Sequence, residues 1–215
     1  MGQKVNPKSF RIGTVFTWDS RWFADDKRYK HLLYEDILLR RELKKRLTNS
    51  GLARIEIERS INRLDITIHV TRPGVVIGRG GTGLEELKKF INQLLNSRHR
   101  GQTLKVDLKV EPVKEPNLNA TVIANNIADQ LVKRLHHKRV VNQAVERVMS
   151  SGAKGVRIVL SGRIAGAEIS RREKYQKGSV PLSTIREEID YAEVPSLTKS
   201  GYIGVKVWIA KGEKI

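Results

Sequence analysis

The sequence predicts an α/β (α+β) protein of two consecutive domains, each with a sheet covered by helices. Apolar and polar residues alternate in several short runs, which indicates strands with one buried face. Between these runs, leucines, isoleucines and valines recur every three or four residues, which is the spacing of amphipathic helices. Two prolines in residues 112–117 interrupt both patterns, so this segment is predicted to be a stiff linker between the domains.

The first domain is predicted over residues 35–111, as a three-stranded sheet with helices on one face. A helix is expected from Glu35 to Leu47, because leucines at every fourth position mark one face. Acidic residues in its first turn and basic residues in its last turn favour the helix dipole. A second helix is expected to run to Asn96, after a glycine-rich loop. Strands are expected over 54–58, 64–70 and 104–110.

The second domain is predicted over residues 118–211, as two helices on a mainly antiparallel sheet. Ile127 and Leu131 lie on the apolar stripe of the first helix, and Val141 and Val145 on that of the second. The remaining residues form four β-rich runs, the last of which ends at about residue 209.

Residues 1–34 are predicted to form a basic, aromatic N-terminal arm that contains Trp18 and Trp22. Two interpretations stay open. The aromatic residues can pack the arm over a neighbouring domain, or they can stack on bases while cations meet phosphates. Lys4 and Arg11 are the candidates for such phosphate contacts.

The charge of the chain indicates a polyanionic partner. Lysine and arginine number 41 against 23 acidic residues, and each of four consecutive segments has a positive net charge. An excess spread this evenly is typical of a protein that contacts a polyanion on several surfaces. The chain has no cysteine, which excludes disulfides and thiolate metal sites, and no apolar run has the ~20 residues of a membrane helix. We therefore expect nucleic acid as the polyanion, and no metal or cofactor.

The glycine-rich loop Gly78-Arg79-Gly80-Gly81-Thr82-Gly83 fits more than one pattern. A dinucleotide fingerprint needs a full strand before it and an acidic residue about 20 positions later. Only three apolar residues precede the loop after Pro73-Gly74, and residues 98–106 contain no Asp or Glu. A phosphate-binding loop of the Walker type needs lysine where Leu84 stands. Both interpretations are disfavoured.

Gly78, Arg79, Gly80 and Gly81 also form a GXXG sequence before an amphipathic helix. Glycines let the backbone approach a sugar-phosphate chain, and the N-terminus of a helix attracts phosphate. The segment resembles the K-homology module, and a helix and two strands before the loop resemble its type II form. The resemblance implies that about four nucleotides are held there, with Arg72 and Arg79 near the phosphates. A tight turn that merely needs glycine is the plain alternative.

The whole chain is similar to the bacterial-type small-subunit ribosomal protein S-three family. The residues that carry the resemblance lie in family order from the first residue to about residue 211, at 1–7, 10–13, 22–24, 72–78, 152–156, 161–169 and 204–209.

This resemblance implies a structural constituent of the small-subunit head rather than an enzyme. The implied partners are 16S ribosomal RNA, messenger RNA at the entry channel, and the proteins S-ten, S-fourteen, S-four and S-five. The implied location is the ribosome, in the cytoplasm or in the plastid stroma.

The family's messenger contacts correspond here to Lys138, Arg139 and Asn142. Because the third position is not basic, we expect a weakened or rearranged contribution to messenger unwinding. The further candidates for RNA contacts are Arg163, Arg171 and Arg172, since β hairpins can lay such side chains along a groove.

Two other function classes remain as alternatives: a free RNA-binding regulator that uses the same module, and a nucleotide-dependent enzyme. An acidic cluster is compatible with a glycosidase-like carboxylate pair but is more simply a patch that meets basic groups. It comprises Glu187, Glu188, Asp190 and Glu193.

Overall fold

The structure, a computed structural model, describes residues 4–60, 62–96 and 105–213. The chain forms two compact units, one of Trp18–Lys114 and one of Met1–Thr17 with Glu115–Ile215. In chain order the helices and strands are α1 (Pro7–Phe10), β1 (Ser20–Arg21), α2 (Asp26–Arg46), β2 (Leu52–Arg59), β3 (Arg63–Val70), α3 (Pro73–Ile77), α4 (Thr82–Asn96), β4 (Lys105–Pro112), α5 (Ala120–Val132), α6 (His137–Ser150), β5 (Gly155–Gly162), β6 (Arg171–Gly178), β7 (Glu187–Thr198) and β8 (Gly201–Glu213).

The unit of Trp18–Lys114 is a sheet packed against helices. Its strand order is β1-β2-β3-β4, with β2 and β3 antiparallel and β3 and β4 parallel. Leu39 and Leu43 of α2 and Ile91 of α4 form its core with Ile57 and Ile66 of the sheet. The predicted three strands are confirmed, with the two-residue β1 added at one edge. Leu104, the predicted start of the last strand, lies outside the described residues.

The helix expected from Glu35 begins earlier, at Asp26. Tyr29, Leu33 and Ile37 recur every fourth residue in its first half, but they are exposed. The residues that face the core begin only at Glu35, so the leucine stripe alone predicted too late a start. This correction also shortens the predicted arm.

Glu35 and Asp36 therefore lie in the middle of α2 and are buried. Both Arg59 Nη2 and Nε contact Asp36 Oδ1, at 2.6 and 2.8 Å, and Arg59 Nη1 lies 3.0 Å from Glu35 Oε2. Trp22 Nε1 donates to Asp36 Oδ2 at 2.8 Å. The expectation that the two carboxylates serve the helix dipole was wrong, because they compensate a buried arginine instead.

The other unit has a four-stranded antiparallel sheet in the order β6-β5-β8-β7. Helices α5 and α6 cover one face, where Ile127 and Val141 pack with Ile158, Val205 and other apolar residues. Asn119 begins α5 by accepting hydrogen bonds from two backbone N–H groups. The predicted second α+β domain is confirmed.

The predicted arm of residues 1–34 divides between the two units. Lys8 Nζ in α1 lies 2.7 Å from Asp190 Oδ1 in β7. From Trp18 onward the chain belongs to the other unit, where Ser20 in β1 pairs with Ile57 in β2. Within the described ranges, no helix is long and apolar enough to cross a membrane.

Candidate nucleic-acid interface

The glycine loop connects α3 to α4 through a turn with an unusual backbone. Gly78 has φ 71° and ψ −177°, Gly80 has φ 61°, and Gly81 has φ 84°. Side chains disfavour these conformations because their Cβ atoms crowd the following carbonyl oxygen. The loop therefore favours glycine at these three positions, and Arg79 is the one residue of 78–81 that has a side chain.

The two sides of the loop differ in the space they leave. A Cβ atom on Gly83 would lie 2.6 Å from the carbonyl oxygen of Val76, so α3 and α4 are in close contact there. A Cβ atom on Gly80 or Gly81 would meet nothing within 4 Å. The outer side of the turn is therefore open, so that another backbone can approach it.

The charge of the loop comes from one side chain and from the start of α4. Arg79 is exposed and has no ion pair within the part of the chain that the structure describes. The N–H and Oγ of Thr82 both donate to the carbonyl oxygen of Arg79, which fixes the turn at the helix start. The N-terminus of a helix of 15 residues carries partial positive charge. The turn thus combines an open backbone, a helix N-terminus and a free guanidinium.

Arg72 lies directly before α3 in the same unit, and its side chain is exposed. The structure therefore leaves both arginines of this segment, Arg72 and Arg79, available to an anion. Lys4, by contrast, belongs to the other unit, where it is exposed.

Arg11 does not have the role that the sequence suggested. Its side chain is fully buried, and the burial lowers the pKa of the guanidinium, while the nearby Glu187 acts in the opposite direction. Nε, Nη1 and Nη2 donate to backbone carbonyl oxygens at 2.7–3.3 Å, those of Glu187, Pro7, Pro181, Leu182 and Thr184. Its donors are engaged, so Arg11 is removed from the set of RNA contacts.

The first turn of α6 presents two exposed cations, Lys138 and Arg139. Cations at a helix N-terminus oppose the helix dipole, so their placement does not stabilise α6. The neighbouring His137 is buried, and burial lowers its pKa. Its Nε2 atom lies 3.1 Å from Glu173 Oε2, without the alignment of a hydrogen bond. Tyr175 donates to the same carboxylate at 2.6 Å, and burial first, then this bond, raises its pKa to about 12.

The three arginines expected along the hairpin have different surroundings. Arg163 Nε donates to the carbonyl oxygen of Ala167 at 2.9 Å and remains exposed. Arg171 Nε lies 2.8 Å from Glu173 Oε1, so its charge is partly compensated. Arg172 is exposed, and among the described residues it has no ion pair or side-chain hydrogen bond. Of the three, Arg172 is the most available to a phosphate.

The acidic cluster of β7 is used within the chain. Asp190 is buried and accepts a hydrogen bond from the backbone N–H of Ala120 at the start of α5. Three carboxylates lie within 3.5 Å of lysine Nζ atoms, in the pairs Glu187–Lys154, Glu188–Lys211 and Glu193–Lys206. A carboxylate pair for glycoside hydrolysis is therefore wrong for this cluster, since each carboxylate already compensates a cation or caps a helix.

The described residues contain no group of three or more His, Asp or Glu side chains that could hold a metal ion. His136 and His137 have stacked rings with centroids 4.8 Å apart. His136 is the N-cap of α6 and lies outside the helix, so the two rings do not diverge as adjacent helical side chains do.

Sequence reasoning missed two cations beside Arg172. Lys174 lies on the same face of β6 as Arg172. Lys206 lies on β8 and is separated from Lys174 by Val159 of β5. Strand alternation was the available signal, because Arg172 and Lys174 are two residues apart and therefore share a face.

The fold and the loop define the class: a K-homology domain joined to a second α+β domain. Residues 38–118 match the family model of the KH domain, and residues 127–209 match that of the ribosomal protein S3 C-terminal domain. Small ribosomal subunit protein uS3 of Carboxydothermus hydrogenoformans is 46% identical over 213 residues, which cover 99% of this chain and 93% of the relative. The protein of the same name from Bacillus cereus is 47% identical, over 99% and 94%. The chain therefore belongs to the ribosomal protein S3 family, and the resemblance noted in the sequence is confirmed.

Proposed function

We propose that this protein is a structural component of the small-subunit head of the ribosome, where it binds 16S ribosomal RNA. The two relatives described above are named as small ribosomal subunit proteins, and this chain matches almost their whole length. The observation that carries the RNA-binding part is the open turn of residues 78–81 at the start of α4. Such a turn offers backbone N–H groups and a guanidinium to a phosphate and leaves bases free to contact the neighbouring surface.

The proposal extends to messenger RNA at the entry channel, with S-ten and S-fourteen as neighbours and S-four and S-five around the channel. Lys138 and Arg139 are exposed on the first turn of α6 and would each hold one phosphate. Asn142, one turn further along, is exposed and uncharged, which supports a weaker contribution than three cations would make. No catalytic role is part of the proposal, and the expected location is the ribosome of the cytoplasm or the plastid stroma.

Sedimentation and crosslinking test the assignment to the ribosome. We expect the tagged protein to sediment with the small subunit at moderate salt. In purified subunits it should crosslink to 16S ribosomal RNA and to a bound messenger. A protein that stays wholly in the soluble fraction would instead be a free RNA-binding regulator. Crosslinks to ribosomal RNA alone would contradict the entry-channel part.

The loop itself is tested by the double variant Arg79→Asp, Gly80→Asp, which places two carboxylates where the phosphates are expected. Aspartate tolerates the left-handed backbone of position 80 better than most residues do, so the fold should persist. We expect weaker binding of single-stranded RNA and an unchanged circular dichroism spectrum. The salt dependence should also decrease, by roughly 0.7 in log affinity per log salt for each phosphate that the variant no longer binds.

The matched control is Lys27→Asp, Arg28→Gln, which changes the net charge by the same three units on the exposed first turn of α2. Aspartate there favours the helix dipole. An equal decrease of affinity in both variants would show that only overall charge matters, and the loop would have no specific role.

A further inference from the structure

The sheet of β5 to β8 has a second face, opposite α5 and α6, that is only partly covered. At one end Val180, Ile189 and Trp208 pack together. Toward the other end the face is formed by side chains that alternate with the core residues of the same strands. We define the open face as Arg157 and Ser161 of β5, Arg172 and Lys174 of β6, and Tyr202, Gly204 and Lys206 of β8.

The strand register sets the cations of the open face in two adjacent rows. Lys174 and Lys206 flank Val159 on its two sides, and Val159 is buried although it points away from the helices. Long lysine stems cover apolar surface while their ammonium groups stay in water. In the next row Arg172, Ser161 and Gly204 are neighbours. The charges of the open face therefore lie across three strands and not along one.

Most of this charge is uncompensated. Arg172 and Lys174 are exposed and have no ion pair within the described ranges. Arg157 Nε donates to the neutral Gln176, and only Lys206 meets a carboxylate, Glu193 at 3.2 Å. Glu193 is 53% exposed, so water screens this pair strongly. The face thus has four cations against one carboxylate.

The surface between the cations has only small side chains, and an aromatic ring lies at its edge. A Cβ atom on Gly204 would lie 2.9 Å from Ser161 Oγ, so no larger side chain stands there. Tyr202 lies two residues before Gly204 on the same face, and it is 67% exposed. An exposed aromatic ring beside cations is the combination that stacks a base and holds its phosphates.

We infer that the open face binds a single-stranded segment of RNA, with phosphates on Arg172, Lys174 and Lys206 and a base stacked on Tyr202. This inference rests on the proposed RNA-binding function and adds a second binding surface to it, separate from the turn of residues 78–81. RNA fits better than an acidic protein segment, because the face combines its cations with an exposed aromatic ring and a surface of small side chains on which a base can lie.

Anisotropy titrations of the full-length protein with an unstructured oligouridine test the inference. Arg172→Gln, Lys174→Gln should lower the slope of log affinity against log salt by about 1.4, or 0.7 per phosphate. With this change of slope, the loss of affinity at 0.1 M salt is about 25-fold larger than the loss at 1 M salt. Tyr202→Ala should weaken binding by about 5- to 150-fold and leave the slope unchanged, because stacking releases no counterions.

The matched control is Arg147→Gln, Lys177→Gln, which removes the same charge from exposed positions outside the open face. The inference is overturned if the open-face variants bind as the wild type does, or if the control weakens binding equally. If the loop variant alone weakens binding, the proposed function stands without the second surface. If neither the loop variant nor the open-face variants weaken binding, both the loop and the open face are excluded as RNA-binding surfaces. Normal oligouridine binding by variants that no longer sediment with the small subunit would identify a protein as the occupant and also overturn the inference.

Discussion

Two turns in different units share one backbone conformation. In the glycine loop, Gly80 has φ 61° and ψ 18°, and in the turn after β5, Ala165 has φ 58° and ψ 23°. Each is followed by a glycine with positive φ, Gly81 at 84° and Gly166 at 80°. The same three-residue turn is therefore built once from Arg-Gly-Gly and once from Ile-Ala-Gly.

The turns differ in what their first residue does. Arg79 is exposed, and its turn leads directly into α4, whereas Ile164 is fully buried in the core beneath α5 and α6. The first turn offers its backbone and charge to solvent, and the second uses the same shape to direct an apolar side chain inward. Turn shape alone therefore does not indicate an RNA site. An RNA site is indicated by the exposure of the turn together with the helix N-terminus that follows it.

Alanine substitutions at the first position of the two turns should differ most in their effect on the free energy of unfolding. Ile164→Ala removes a buried side chain from the core, and we expect it to lower the free energy of unfolding by about 2–5 kcal/mol. Arg79→Ala changes an exposed side chain, so we expect a change within about 0.5 kcal/mol. Urea denaturation with hydrogen exchange of each unit measures both. A comparable decrease for Arg79→Ala would mean that the two turns have the same structural role.

The glycine loop was predictable because its determinants are local. Three positive φ values coincide with three glycines, at 78, 80 and 81, and an amphipathic helix follows directly in the sequence. By contrast, nothing in the sequence around Ala165 indicates its positive φ, because alanine rarely adopts it. Gly162 and Gly166 indicate a turn after β5, but they do not indicate that an alanine takes its left-handed position.

Two other features were not predictable because their partners are remote. Arg11 has the local sequence of a phosphate contact, yet its Nε binds the carbonyl oxygen of a residue 176 positions later. Asp36 fits the first turn of a helix, but its ion pair with Arg59 depends on the packing of α2 against β2. Local pattern thus predicted which elements form, and burial decided which charges remain available.

The smallest effect, and the most direct comparison of the two turns, comes from exchanging their central residues. Gly80→Ala should lower the free energy of unfolding by about 1 kcal/mol, because a side chain strains this backbone. Space is not the cause, since a Cβ atom there would meet nothing within 4 Å. Ala165→Gly should raise it by a similar amount, minus the extra entropy that glycine gives the unfolded chain. Opposite signs in urea denaturation would show that both turns carry the same backbone strain. Because Ala165 is exposed, a destabilised Ala165→Gly variant would instead show that the entropy which glycine gives the unfolded chain exceeds the strain at this position.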